Sequence, residues 1–294
     1  MGILRFNYRS EAIGRYIDLS IVYPTDALVC PGLPDAAPHA PGAGSPPSKP
    51  AYRPGMKFQT VYLIHGGGDD DSLVYRYTNA ERYAQRNQVM LVTPDITNSF
   101  GVDTCYGVGY ATFLTTELPV VMQSLFASSP RREDNFIVGY AMGGNVALGC
   151  ALTRPDLYRA CVDISGGIGL TVNTRTLKDE LDGEHFRTRF PLYNATFGPS
   201  SEIDGSRFDL MAAARRNLET GSELPAFTLI AGSEEGAIGK RVRADADTLQ
   251  TLGYDVTFLL AEGHAHDFRL WDRYLEITLD ELLPLRRTPL YPEG

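Results

Sequence analysis

Six short apolar runs recur along the second to last fifths of the chain and limit its architecture more than any other feature: VYLIHG (61–66), VMLVTPD (89–95), NFIVGY (135–140), ACVDIS (160–165), AFTLIAG (226–232) and DVTFLLA (255–261). Runs of this length, rich in Val, Ile and Leu, read as strands buried on both faces. The intervening stretches at 78–86, 111–126, 143–153, 237–252 and 270–283 carry helical signals, with Pro119 an expected kink and Pro155 an expected stop. Two further strands are expected at 2–8 and 15–23, where Ile17, Leu19 and Ile21 alternate with polar residues. Buried strands alternating with helices predict an α/β fold: a mostly parallel sheet with helices on both faces. In such sheets ligands bind beyond the carboxyl ends of the strands. The loops after 61–66, 135–140, 226–232 and 255–261 are therefore the places to look for chemistry.

All 294 residues are expected to form a single domain, 1–294, with two departures from the alternation. Residues 30–55, CPGLPDAAPHAPGAGSPPSKPAYRPG, are too rich in Pro and Gly to propagate helix or sheet and read as a loop insertion. That insertion is either a surface excursion without chemistry or a flap beside the site. Residues 168–222 are polar with short helical pieces and read as a cap-like excursion over the sheet's carboxyl edge. The charge balance, 36 acidic against 27 basic residues, argues against nucleic acid or an anionic membrane as partner. No apolar run reaches the roughly 18 residues that span a bilayer, and no secretory leader is readable at the start. The cysteines Cys30, Cys105, Cys150 and Cys161 form no C-x-x-C pair or zinc spacing. They are expected to be reduced thiols in a cytoplasmic protein.

Residues 139–144 read Gly-Tyr-Ala-Met-Gly-Gly directly after a strand. A strand that reverses into a helix within one residue forces that residue into strained geometry and aims the helix's free N–H groups at its side chain. The pattern is that of the nucleophile elbow G-x-S-x-G, with Ala141 where serine belongs. Taken alone, the string also fits an ordinary strand–turn–helix. His65-Gly66-Gly67-Gly68 follows another strand, and could equally be a flexible loop or a set of main-chain donors for an oxyanion.

Longer blocks add weight. LIHGGG (63–68), RYTNAERYA (76–84), TFLTTELP (112–119), REDNFIVGYAMGG (132–144) and HDFRLWDRYL (266–275) resemble, in order, blocks of the esterase D and tributyrin-esterase-like α/β-hydrolases. That family includes acetylesterases, feruloyl esterases and S-formylglutathione hydrolases. The resemblance covers roughly 58–167 and 224–275. It implies an α/β-hydrolase fold, a small-molecule ester as partner, no cofactor and no metal, and the homo-oligomers that family members often form. It places the nucleophile position on Ala141, the histidine on His266 and the acid on Glu235, with Glu234 the alternative, since Gly232-Ser233-Glu234-Glu235 stands where the family has G-T-E-D. It assigns the oxyanion donors to the main chain of Gly67 and Met142, and suggests Gly66, Tyr140, Tyr106 and Trp271 as substrate-binding residues. The expected activity is serine carboxylic-ester hydrolysis of short acyl or hydroxycinnamoyl esters; the Pro-rich loop and the cap depart from the thioesterase branch. Alanine has no hydroxyl to attack a carbonyl. Either a native serine was replaced here to trap a ligand, which the survival of the other blocks favours, or the protein is a non-catalytic binder of the same fold.

Other residues are weighed against this set. Ser165 ends a strand, but its Ser-Gly matches a non-catalytic segment of the family. Cys105 has no histidine in motif order. His264, two residues before His266, lacks the companions of a metal site. Asp69-Asp70-Asp71 reads as a solvated loop or helix cap, or as a negative lip that excludes anionic acyl groups. Phe100 and Tyr110 are either pocket or core.

Overall fold

The computed structural model describes residues 2–32, 49–166, 196–197 and 206–292. Its strands are β1 (Gly2–Arg9), β2 (Tyr16–Tyr23), β3 (Thr60–Ile64), β4 (Met90–Pro94), β5 (Asn135–Tyr140), β6 (Ala160–Ile164), β7 (Ala226–Gly232) and β8 (Val256–Ala261). They form one eight-stranded sheet in the order β1-β2-β4-β3-β5-β6-β7-β8. The pairs β1–β2 and β2–β4 are antiparallel and all others parallel. This is the strand order of the α/β-hydrolase fold that the sequence led us to expect.

Period-two alternation divides the strand side chains between two cores. Tyr62, Ile64 and Ile137 enter one cluster, while Val61, Leu63, Phe136 and Val138 enter the other. Every residue of β3, β4, β5 and β6 is buried, which accounts for their unbroken apolar character. Ile17, Leu19 and Ile21 of β2 are fully buried, as the alternation at the edge requires. At roughly 1.5–3 kcal/mol for each fully buried large aliphatic, these two layers dominate the stabilising side of the balance.

The helices are α1 (Leu73–Tyr77), α2 (Ala80–Asn87), α3 (Leu118–Leu125), α4 (Met142–Thr153), α5 (Leu210–Glu219), α6 (Ala237–Leu252) and α7 (Phe268–Ile277). Several differ from the sequence expectation for local reasons. The helix expected at 78–86 is α2, and a separate short helix, α1, precedes it: the Thr78 hydroxyl donates to the Val74 carbonyl and accepts from the Ala80 N–H, ending α1 and starting α2. The stretch 111–126 contains a π-helical turn at Phe113–Glu117, and Pro119 sits in the first turn of α3, where it needs no N–H partner. Helix α7 starts at Phe268 because the Asp267 carboxylate accepts from the N–H groups of Arg269 and Leu270. It continues into a π-helical turn, Thr278–Leu282.

Of the two irregular stretches, the ends of the Pro/Gly-rich loop are stapled. Val29 donates to Pro50 and accepts from Tyr52, while 33–48 lie outside the described residues. In the cap-like stretch, α5 is capped by Asp209, whose side chain accepts from the Ala212 N–H; 167–195 and 198–205 lie outside the described residues. Among the described residues no helix is long and apolar enough to cross a membrane. Cys30, Cys105, Cys150 and Cys161 are free thiols, the last two buried.

Candidate active site

At the end of β5 the chain turns at Ala141, with φ 50° and ψ −126°, and enters α4 at Met142. Two glycines make the turn possible. A β-carbon on Gly139 would lie 1.9 Å from the Gly143 carbonyl oxygen, and one on Gly143 would lie 2.1 Å from that of Ile64. The elbow is pinned to its neighbour strand by Ala141 N–H donating to the Ile164 carbonyl at 2.9 Å. Ala141 is 9 % exposed, so its methyl group can just be reached from outside. Of the first N–H groups of α4, that of Gly144 donates to the Ala141 carbonyl at 3.0 Å, while those of Met142 and Gly143 have no acceptor among the described residues.

The loop after β3 lies beside this elbow. His65 is fully buried; its Nε2 accepts from the Ile96 N–H at 3.0 Å, so the proton sits on Nδ1, which donates to the Gly66 carbonyl at 2.8 Å. That imidazole locks the orientation of Gly66. Gly68 N–H is taken by the Asn98 side-chain oxygen at 2.7 Å, and Asp69 N–H by Gly66 O at 3.3 Å. Among the described residues Gly67 N–H has no acceptor, which leaves it available for a ligand oxygen.

The loops after β7 and β8 bring the acid and the histidine together. His266 Nδ1 lies 2.7 Å from Glu235 Oε1, and Glu235 Oε2 accepts from the Gly232 N–H at 2.7 Å. The Glu235 side chain is fully buried, whereas Glu234 is exposed and uses only its N–H, on the His264 carbonyl. The two loops are laced tightly enough that a β-carbon on Gly232 would stand 2.2 Å from that carbonyl. His266 is braced by the Trp271 ring, edge to face at 5.1 Å. Trp271 also contacts Tyr140 at 5.1 Å, and Phe268 bridges Tyr140 to the exposed Tyr77, on which it stacks at 4.8 Å.

Tyr140 is buried, and its hydroxyl donates to Asp69 Oδ2 at 3.0 Å. Burial raises the Asp69 pKa, opposed by the hydrogen bond from Tyr140. Burial and the neighbouring Asp69 carboxylate raise that of Tyr140. Behind the elbow, Asp163 of β6 is fully buried, and burial pushes its carboxyl up to about 8, with Asp245 and Glu235 adding to the rise. Its Oδ1 accepts from the Gly166 N–H at 2.6 Å.

Ala141, Met142, Gly66, Gly67 and Tyr140 thus share one corner of the sheet edge, with Trp271 joining Tyr140 to His266 and Glu235. Tyr106 is 76 % exposed on the loop after β4, and among the described residues no ring contact ties it to this group. Phe100 and Tyr110 are core residues. Ser165 is fully buried with a positive φ, and Cys105 lies on the surface. Among the described residues no His, Cys, Asp or Glu side chains gather as a metal ligand set. Sequence reasoning did not find the Tyr140–Asp69 bond or the buried Asp163. The only signal for the first was the place of Asp69 directly after the glycine run, and for the second a lone acid inside an apolar strand.

A fixed carboxylate, an imidazole whose second nitrogen has no partner among the described residues, and main-chain donors at a helix start suit acyl transfer from an ester. Comparison with known proteins agrees with this chemistry. The Esterase family model matches residues 47–207. An acetyl esterase of Caldicellulosiruptor saccharolyticus is 24 % identical over 239 residues, which cover 77 % of this chain and 87 % of that protein. Among solved structures, substrate-bound FphF, a fluorophosphonate-binding serine hydrolase of Staphylococcus aureus, superposes with a TM-score of 0.76 at 22 % identity, covering 96 % of this chain and 98 % of that one. FrmB, an S-formylglutathione hydrolase of the same organism, gives 0.72 at 21 % identity over the same shares.

Proposed function

This chain belongs to the Esterase family of α/β-hydrolases, and we propose that its pocket is that of a carboxylic-ester hydrolase for short acyl or hydroxycinnamoyl esters, complete except for the hydroxyl at position 141. The observation that carries this reading is the hydrogen-bonded pair His266–Glu235, anchored by Gly232 and braced by Trp271. Neither a surface histidine nor a structural one needs a fully buried carboxylate fixed at both oxygens.

With a serine at 141, the hydroxyl oxygen attacks the ester carbonyl while His266 Nε2 takes its proton. The N–H groups of Met142 and Gly67 receive the oxyanion. His266 then returns the proton to the departing alcohol, and water resolves the acyl-enzyme by the same steps. Glu235 keeps the Nδ1 proton in place and stabilises the imidazolium. With alanine at 141 no acyl-enzyme forms, and the pocket retains esters without consuming them.

The test is Ala141→Ser, assayed with 4-nitrophenyl acetate, 4-nitrophenyl butyrate and methyl ferulate. Turnover should rise by about 10⁶, the worth of the elbow nucleophile in a comparable triad. No rise removes the reading. The alanine itself favours a second reading, a protein that binds esters without turnover in its natural form. An alanine codon at 141 in the encoding genome selects that reading, and a serine codon selects the first.

A further inference from the structure

The three aspartates after the glycine run do three different jobs. Asp71 is buried and holds Arg5 and Ser20 of the β1–β2 hairpin. Asp70 closes a turn, accepting from the N–H and hydroxyl of Ser72 at 2.8 and 2.7 Å. Asp69 turns the other way, into the site. A β-carbon built on Gly66 would meet Asp69 Oδ2 and the Tyr140 ring at 3.1 Å and the Ala141 methyl at 3.4 Å. Carboxylate, phenol and nucleophile position therefore surround one small space over Gly66, next to the free N–H of Gly67.

A carboxylate at that place is unexpected on electrostatic grounds. Negative charge develops on the ester oxygen during acyl transfer, and a neighbouring carboxylate opposes it. Among the described residues Arg5 pairs with Asp71, and no lysine or arginine forms an ion pair with Asp69. Its one side-chain hydrogen bond comes from Tyr140, a neutral donor. A substrate that brings its own donor to Asp69 removes the opposition; one that brings a second anion doubles it. Such an interaction counts in the transition state, where the opposing charge is largest.

We propose that Asp69 is a specificity-determining residue that selects esters bearing a hydrogen-bond donor, a hydroxyl or an ammonium group, on the carbon next to the scissile carbonyl. The placement sets the distance. Asp69 Oδ2 and the Ala141 methyl both lie within 3.4 Å of one point, the β-carbon built on Gly66, so the donor belongs on the acyl carbon beside the carbonyl rather than far along the acyl chain. The substrate class is 2-hydroxyacyl or 2-aminoacyl esters, and 3-carboxyacyl esters are rejected. This inference rests on the ester-hydrolase reading of the pocket.

The experiment compares ethyl lactate, ethyl alaninate, ethyl propionate and monoethyl succinate. The Ala141→Ser enzyme is followed by pH-stat for kcat/KM, and the unaltered chain by saturation-transfer NMR for binding of the intact esters. Lactate or alaninate should exceed propionate by about 10- to 100-fold, the worth of a hydrogen bond to a charged group, with succinate last. In Asp69→Asn the alaninate preference collapses, whereas a lactate preference survives in part, which separates ammonium from hydroxyl as the donor. Tyr140→Phe, which removes the competing donor, should widen the preference and serves as a second variant. A purely structural Asp69 would move all four rates together and leave their ratios alone. Equal ratios before substitution, or ratios that Asp69→Asn leaves unchanged, overturn the proposal while the esterase reading stands. Failure of all four esters and of 4-nitrophenyl acetate to bind or turn over overturns both.

Discussion

Glu235 presents one carboxylate oxygen to His266 at 2.7 Å and the other to its own turn, through the Gly232 N–H at the same distance. The family pattern has aspartate at this place, and glutamate adds a methylene to the arm. The turn absorbs the extra length by folding the side chain back on Gly232, so that the carboxylate remains fully buried against the imidazole.

In an Ala141→Ser background, Glu235→Gln should lower kcat by about 10⁴, because an amide can hold the imidazole in the wrong tautomer. Glu235→Asp keeps the charge but shortens the reach, and a misplacement of about 1 Å predicts a loss near 10²-fold. Steady-state hydrolysis of 4-nitrophenyl acetate measures both. Equal activity with glutamate, glutamine and aspartate at 235 would show that the pair is not used.

Ala141 sits at φ 50° and ψ −126°, a region that glycine occupies without penalty. Strain of this kind costs about 1–3 kcal/mol, and glycine gives back part of the gain through the entropy of the unfolded chain. Ala141→Gly should therefore stabilise the fold by about 1 kcal/mol. Urea unfolding measures this, and a destabilised variant would contradict the strain argument.

The opposite result is expected at Gly143. Its added methyl group would stand 2.1 Å from the Ile64 carbonyl oxygen and 2.5 Å from that of His65, both main-chain atoms. Gly143→Ala should cost about 3 kcal/mol, the upper end for overpacking, and displace the oxyanion loop together with the elbow. The thermal midpoint should fall. In the Ala141→Ser background turnover should fall as well.

Asp163 makes stability depend on pH. The unfolded chain ionises this carboxyl near 3.8, whereas the folded protein keeps it protonated up to about 8. Between those values the folded state binds more protons than the unfolded one. Stability is then largest at the acid end, falls as pH rises toward about 8, and is level above it. The contribution has a limiting slope of about 1.4 kcal/mol per pH unit. Asp163→Asn removes it, so the difference between the two proteins in urea melts at pH 5, 7 and 9 should grow in favour of the variant. A difference that does not vary with pH would mean that the proton is not held.

The fold was legible because burial on both faces leaves a mark that no neighbour can erase: β3 to β6 had to be apolar throughout. The elbow was legible because Gly139 and Gly143 keep a fixed spacing around the turn, although the Ile64 and His65 carbonyls that require Gly143 lie far along the chain. Phe113–Glu117 was less so, since one extra residue in a turn decides how that helix is wound. Asp69 and Tyr140 lie 71 residues apart, and nothing local distinguishes Asp69 from Asp70 or Asp71. Only the loop's direction of travel, fixed by His65, turns one of the three toward the site. Glu235 and Glu234 were separable in sequence only by family register, and burial separates them in space.

The His65 ring has a reach beyond its own loop. One nitrogen holds the carbonyl of Gly66 and the other the amide of Ile96, so a single imidazole bolts the loop after β3 to the loop after β4. A ring without nitrogens in its place would release both loops at once, and the pocket would lose the fixed main-chain donor at Gly67 while the acid–histidine pair on the far loops stayed as it is.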